Sequence, residues 1–332
     1  MRRKGFTLVE LLVVIGIIAV LMGVLLPALN AVKRTAQRVV CGTNLSGLGR
    51  AILLYANDHG GEYPRAGGPG SVWDDDGYID NWDAKAGGKR GPWKLPPGAD
   101  VTITSSLYLL IKYADVTPGQ FVCKGDVGTK EFKLSDAKSL LEEIDDLTDV
   151  WDFGEPADLT TGMWPGQYNS YAYHDPYGDG QDDSVMGYPL GSYSNPACPM
   201  AADRNPYLDK NAVVYLEGGA EGSGDPDEVA PSWNDEDFYD DPDRTGNAAA
   251  HQREGQNVLF NDSHVKFERY PNVGITKDNI WKCWVAGQDP PDSPEEREVG
   301  VSPYNGILTD DGIGASAGES DAYLVSENNQ EL

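Results

Sequence analysis

The sequence predicts an α+β fold. One long N-terminal α-helix, its first half transmembrane, packs on a C-terminal head made of an antiparallel β-sheet with large loops. Three observations lead there. Residues 11–32 carry no charged side chain, enough for a helix to cross about 30 Å of hydrocarbon. The helical period then continues to residue 58 with a single apolar stripe. Beyond it the chain is rich in turn residues and holds strand-like runs, the last two forming a hairpin near residue 261.

The opening stretch, RRKGFTLVELLVVIGIIAVLMGVLLPAL (residues 2–29), places Arg2, Arg3 and Lys4 before the apolar run. That bias keeps the N-terminus cytoplasmic. A cleaved secretory signal fits poorly, because the run exceeds the usual apolar core and no small-residue cleavage site follows. Gly16, Gly23 and Pro27 interrupt the run, as membrane helices tolerate. Glu10 is the exception: a carboxylate in a span costs roughly 2.5–3.5 kcal/mol and marks function.

The second half of the helix places Leu45, Leu48, Ile52 and Tyr55 at i, i+3, i+7 and i+10, one face of an amphipathic helix that packs on a head. Gly60, Gly61 and then Pro64 form the stop signal. From Phe6 to Asp58 the helix would span roughly 80 Å.

KGFTLVELLVVIGIIAVL resembles the N-terminal signature of type IV prepilins and type II secretion pseudopilins. The matching residues are Gly5, the aromatic Phe6, and Glu10 four positions on. The resemblance implies a pilin-like fold, cleavage between Gly5 and Phe6 by prepilin peptidase, and N-methylation of Phe6. It divides the chain into a leader (1–5), a membrane and filament-core helix (6–32), its amphipathic continuation (33–58), a globular head (59–297) and an acidic, flexible tail (298–332). It also gives Glu10 a purpose. Cleavage creates an ammonium at Phe6, and pairing with a neighbour's Glu10 would set axial register in a filament.

Further landmarks resemble a large prepilin-like bacterial family: Cys41, Asn44-Leu45, Tyr55-Ala56, Tyr63-Pro64, FVCKGD (121–126) and NSYAYH (169–174). That family ends in His, nine residues, Asp-Gly, then His-Val. Here HQREGQNVLFNDSHVKF (251–267) places His251, Asp262 and His264 in those roles. Ten residues separate His251 from Asp262, however, and Ser263 replaces the glycine.

In the head, 59–100 reads as loop. Residues 105–114 read as a short helix, and 135–147 as another with Ser135 as N-cap. Residues 211–219 are a strand-like run. NVLF and HVKFERY read as strands joined by a two-residue turn at Asn261-Asp262, one residue earlier than the family's Asp-Gly, with positive φ at both positions. His251 and His264 flank this hairpin, which would bring them near each other in space, in a structural hydrogen-bonding role rather than a catalytic one. Residues 298–332 lack Lys and Arg and read as a loose tail.

The formal charge of −27 excludes a nucleic-acid surface, which must be basic. Of four cysteines, none forms Cys-x-x-Cys. Export permits disulfides, and three pairings are open. Cys41 lies on the long helix, which favours bridges among Cys123, Cys198 and Cys283. Acidic loops, with Asp74, Asp76 and Asp80 in one and Asp175, Asp179 and Asp182 in the other, suit calcium's six to eight oxygens but miss the EF-hand spacing. Solvated turn aspartates are the plainer reading. No nucleophile elbow, P-loop or dinucleotide fingerprint occurs, and no catalytic activity is expected.

The expectation is a filament subunit of a type IV pilus or secretion pseudopilus. Its partners would be prepilin peptidase, other copies and related pilins, an inner-membrane platform and an assembly ATPase. It would cross the inner membrane once, with a periplasmic head, before assembly. A second reading is a membrane-tethered protein that binds polysaccharide or calcium and never polymerises.

Overall fold

The structure, a computed structural model, describes residues 8–67, 71–73, 100–135, 145–154, 165–177, 188–206, 247–275, 280–281 and 324–325. Helix α1 runs from Leu8 to Asp58, 51 residues or about 76 Å. Its halves behave differently. Every residue from 8 to 36 is exposed, because the apolar side chains there point all round the helix. In the second half Cys41, Leu45, Leu48, Ala51, Ile52, Tyr55 and Ala56 are buried, which is the stripe that the spacing predicts. Gly60 and Gly61 close the helix at φ 70° and 94°, and the Gly61 N–H donates to the Ala56 carbonyl. This six-to-one closure needs left-handed backbone that glycine adopts without strain.

Two short strands, β1 (Val72–Trp73) and β2 (Asp100–Val101), pair in parallel. Helix α2 follows at Ile103–Tyr113, two residues earlier than expected. Thr102 begins it by accepting a hydrogen bond from the Ser105 N–H, which satisfies one donor of the first turn. Residues 103–111 of α2 are all buried, so this helix lies inside the head.

The main sheet has five strands: β3 (Tyr171–His174), β4 (Pro199–Asp203), β5 (Gln256–Phe260), β6 (Val265–Glu268) and β7 (Leu324–Val325). Their spatial order is β6-β5-β4-β3-β7, and every neighbouring pair is antiparallel. The architecture is therefore α+β and pilin-like. Side chains alternate between the two faces of the sheet. Tyr171, Tyr173, Ala201, Leu259 and Val325 join the core shared with α1. Ala172, Ala202, Val258, Phe260 and Leu324 pack with Ile280 and Trp281. The sheet is covered on both sides, with α1 as one layer.

Four expectations meet the structure differently. First, the β5–β6 turn is centred on Asn261 and Asp262, but neither has positive φ. Ser263 takes the left-handed position at φ 68°, and its N–H donates to the Phe260 carbonyl at 2.8 Å. This is a three-residue loop, a tight turn followed by a left-handed residue, instead of the two-residue turn. Second, the tail is not loose throughout. Leu324 and Val325 are buried and pair with β3, because their apolar side chains fill both faces at that sheet edge. Third, Cys41 is bonded to Cys123, so the helix position did not keep it out of a bridge. Its side chain lies on the buried stripe and meets the FVCKGD turn. Cys198 is buried and unbridged, and Cys283 lies outside the described residues. Fourth, His251 and His264 do not meet. The whole of β5 separates them, roughly 14 Å of strand.

The strand-like run 211–219 lies outside the described residues, as do residues 136–144 of the 135–147 helix; Leu134 and Ser135 are already helical, so Ser135 is not the N-cap. At the end of that stretch Leu147–Asp149 form a 3-10 turn begun by Asp146, with a reciprocal capping box.

Candidate functional site

Two regions carry the residues that the sequence singles out. The first is the bare half of α1. Glu10 lies in its first turn, every residue from 8 to 36 is exposed, and Arg34 alone in that stretch is ion-paired with the head among the described residues. The helix is long and apolar enough to cross a membrane. A carboxylate there is costly unless a positive group reaches it. Gly5 and Phe6 lie outside the described residues.

The second region joins the lower half of α1 to the head, and Cys41, Asn44, FVCKGD, NSYAYH and His251 converge there. Cys41 of α1 bonds Cys123, closing a separation of 82 residues. Asn44 donates its side-chain amide to the Val122 carbonyl at 3.1 Å, and the Tyr171 hydroxyl donates to the Cys41 carbonyl at 3.5 Å. FVCKGD and NSYAYH thus each place one polar group against the helix between Cys41 and Asn44.

His251 sits beside the bridge, almost wholly buried. Its Nε2 is 3.7 Å from Cys123 Sγ, 3.1 Å from Asp203 Oδ2 and 3.1 Å from Asn257 Nδ2. Asn257 also donates to Asp203 Oδ2, through its backbone N–H at 2.6 Å and its side chain at 3.1 Å. His251 is held in place by unusual backbone. Gln252 and Arg253 have φ of 58° and 57°, costly for side-chain-bearing residues and kept only where the surroundings demand it. Gly125 permits the close approach: a Cβ there would lie 2.1 Å from the Ala250 carbonyl oxygen and 3.0 Å from His251 Nδ1. The glycine of FVCKGD is thus a packing requirement of the histidine.

Ion pairs surround this core. Glu254 pairs with both Arg34 and Arg38, one turn apart on α1, and the Arg38 guanidinium lies 4.5 Å over the Phe267 ring. Deeper inside, Arg204 is 3.6 Å from Asp126 and donates to the carbonyls of Gly166 and Asn169. A buried pair tolerates its desolvation only with such extra hydrogen bonds.

The other half of the C-terminal landmark is superficial. His264 is exposed, pairs with Asp262 and stacks on Phe260 at 4.4 Å between ring centroids. Its backbone N–H, donating to Asp262, holds that carboxyl below its usual range. Among the aspartates considered for calcium, Asp175 is buried and its Oδ1 accepts from the Tyr177 N–H at 3.0 Å, shaping a turn. Asp74, Asp76, Asp80, Asp179 and Asp182 lie outside the described residues.

A separate acid lies under α2. Asp152 is fully buried and accepts hydrogen bonds from the Thr102 hydroxyl at 2.5 Å and the Phe153 N–H at 2.7 Å. Burial still wins and pushes its carboxyl up to about 7. On β3, burial pulls His174 down to about 4, so its imidazole is neutral and donates from Nε2 to the Tyr188 carbonyl. Asp152, Asp203, Arg204 and Glu254 were not legible as site residues. The available signal was a charged residue ending an apolar run, as Asp203 ends β4.

Residues 1–26 match the model of the prokaryotic N-terminal methylation motif. The chain therefore carries a prepilin-type signal, which implies processing by prepilin peptidase and is consistent with membrane anchoring. Comparison with curated proteins and with solved structures gave no match.

Proposed function

We propose that the chain is a structural subunit of a filament of the type IV pilus or type II secretion pseudopilus kind. The observation that carries this reading is the division of α1. A methylation-type signal leads directly into about 44 Å of helix that the head leaves bare. Below it the same helix is clamped to the head by a disulfide, ion pairs and an apolar stripe. Such a subunit is stored with its bare helix in the inner membrane and its head in the periplasm. The bare helices of many copies then pack together once a platform and an assembly ATPase extract them. The acidic heads would form the outer surface.

Processing at Gly5–Phe6 is the first requirement. Mass spectrometry of the exported protein should find N-methyl-Phe6 as its first residue, and Gly5→Arg should leave the leader attached. Wild-type protein that retains Met1 at its exported N-terminus would count against this function. Processed protein that never sediments as filaments would instead favour a tethered binding protein.

A further inference from the structure

We propose that Cys41, Cys123 and His251 form a zinc site when the disulfide is reduced. The joint between α1 and the head then has two alternative covalent closures, one oxidised and one metal-held. The two sulfurs and the imidazole Nε2 all lie within 4.8 Å of one another, and all three residues are buried. The 3.7 Å from Cys123 Sγ to His251 Nε2 is close to the edge of a tetrahedral zinc site, about 3.5 Å for Zn–S near 2.3 Å and Zn–N near 2.0 Å. The sulfur–sulfur distance must open when the bond is reduced. Zinc takes four ligands; the cluster itself supplies three, and the fourth place falls to water or to Asp203 after a shift of its side chain toward the sulfurs. Its Oδ2 is 3.1 Å from the same nitrogen, and its Oδ1 is buried with no hydrogen-bond partner among the described residues. The left-handed backbone at Gln252 and Arg253 fixes the ring in that direction whether or not the sulfurs are bonded.

The chemistry balances with a dithiol as reductant. It gives two electrons and two protons, its own sulfurs become a disulfide, and the Cys41–Cys123 bond becomes two thiols. Zinc then displaces both thiol protons and binds two thiolates. With the bridge intact, Cys41 and Cys123 offer no thiolate and cannot hold the ion in this way.

The test uses the full chain in detergent, with or without a phosphine reductant, then zinc chloride and desalting. Reduced protein should retain about one zinc per chain, and oxidised protein none. Cobalt(II) in place of zinc should give thiolate-to-metal charge-transfer absorption and the intense visible bands of a tetrahedral ion. His251→Ala should weaken zinc binding by at least about tenfold, and His251→Cys should restore it. Should His251→Ala fail to fold, the cobalt spectrum of the reduced wild type decides alone. Absence of that charge-transfer absorption, or His251→Ala binding zinc as tightly as wild type, would overturn the proposal.

Discussion

Cys41 on the buried stripe of α1 is bonded to Cys123 in the FVCKGD turn that follows α2, fastening the long helix to the head across 82 residues of sequence. A bridge closing a loop of that length restricts the unfolded chain by up to about 4 kcal/mol. Cys41→Ser should lower stability by on the order of 2–4 kcal/mol in urea titration. Reductant should lower the wild type by a similar amount in metal-free buffer and leave Cys41→Ser unmoved. Equal stability of the two proteins without reductant would show that the bridge is not a main fastening.

Asp152 gives the head a pH dependence whose sign follows from burial. Its carboxyl rises from 3.8 to about 7 on folding, so the folded state holds its proton more tightly than the unfolded state does. Its contribution to stability is therefore greatest below pH 4 and is lost as pH climbs to about 7, where folding must carry a buried charge. His174 acts oppositely: its folded value of about 4 removes stability as pH falls from 6.5 toward 4. The difference between Asp152→Asn and wild type isolates the first effect. The variant should gain relative stability between pH 5 and pH 8, on the order of 2 kcal/mol. A difference independent of pH would mean that Asp152 is charged throughout.

Ser263 holds a left-handed φ of 68° in the β5–β6 loop. For a residue with a Cβ that conformation costs roughly 1–2 kcal/mol. Ser263→Gly should raise stability by about 1 kcal/mol, visible as a higher urea midpoint with an unchanged slope. A lower midpoint would mean that the Ser263 side chain compensates the strain.

Signals carried by neighbouring residues were legible in the sequence, and those carried by distant residues were not. The bare half of α1, its amphipathic half and the Gly60-Gly61 stop were legible because period and composition are properties of neighbouring residues. The β5–β6 hairpin was legible for the same reason, but its turn type was not. A left-handed serine is rare enough that Asn261 and Asp262 attracted the assignment. The joint around His251 was only half legible. The landmarks were visible as separate motifs, yet nothing local shows that Cys41, Cys123, Asp203 and His251 share one buried site. The strand at Leu324–Val325 was hidden because two apolar residues in an acidic tail carry no period. Its pairing depends on an edge of β3 that lies some 150 residues earlier in the chain.

The central claim is that the bare helix is an assembly element, and Glu10 tests it most directly. Between Phe6 and Lys33 the sequence has no Lys or Arg, and Lys33 is about 35 Å from Glu10 along a helix. The positive group proposed to meet Glu10 in a filament is the Phe6 ammonium of a neighbouring copy. Glu10→Ala removes a desolvation cost from the membrane-stored state and strands that ammonium in the filament. The measurement is the amount of processed subunit in membranes against the amount in sheared filaments, for wild type and Glu10→Ala. The account predicts normal insertion and processing, with the filament fraction sharply reduced. An unchanged filament fraction would contradict it.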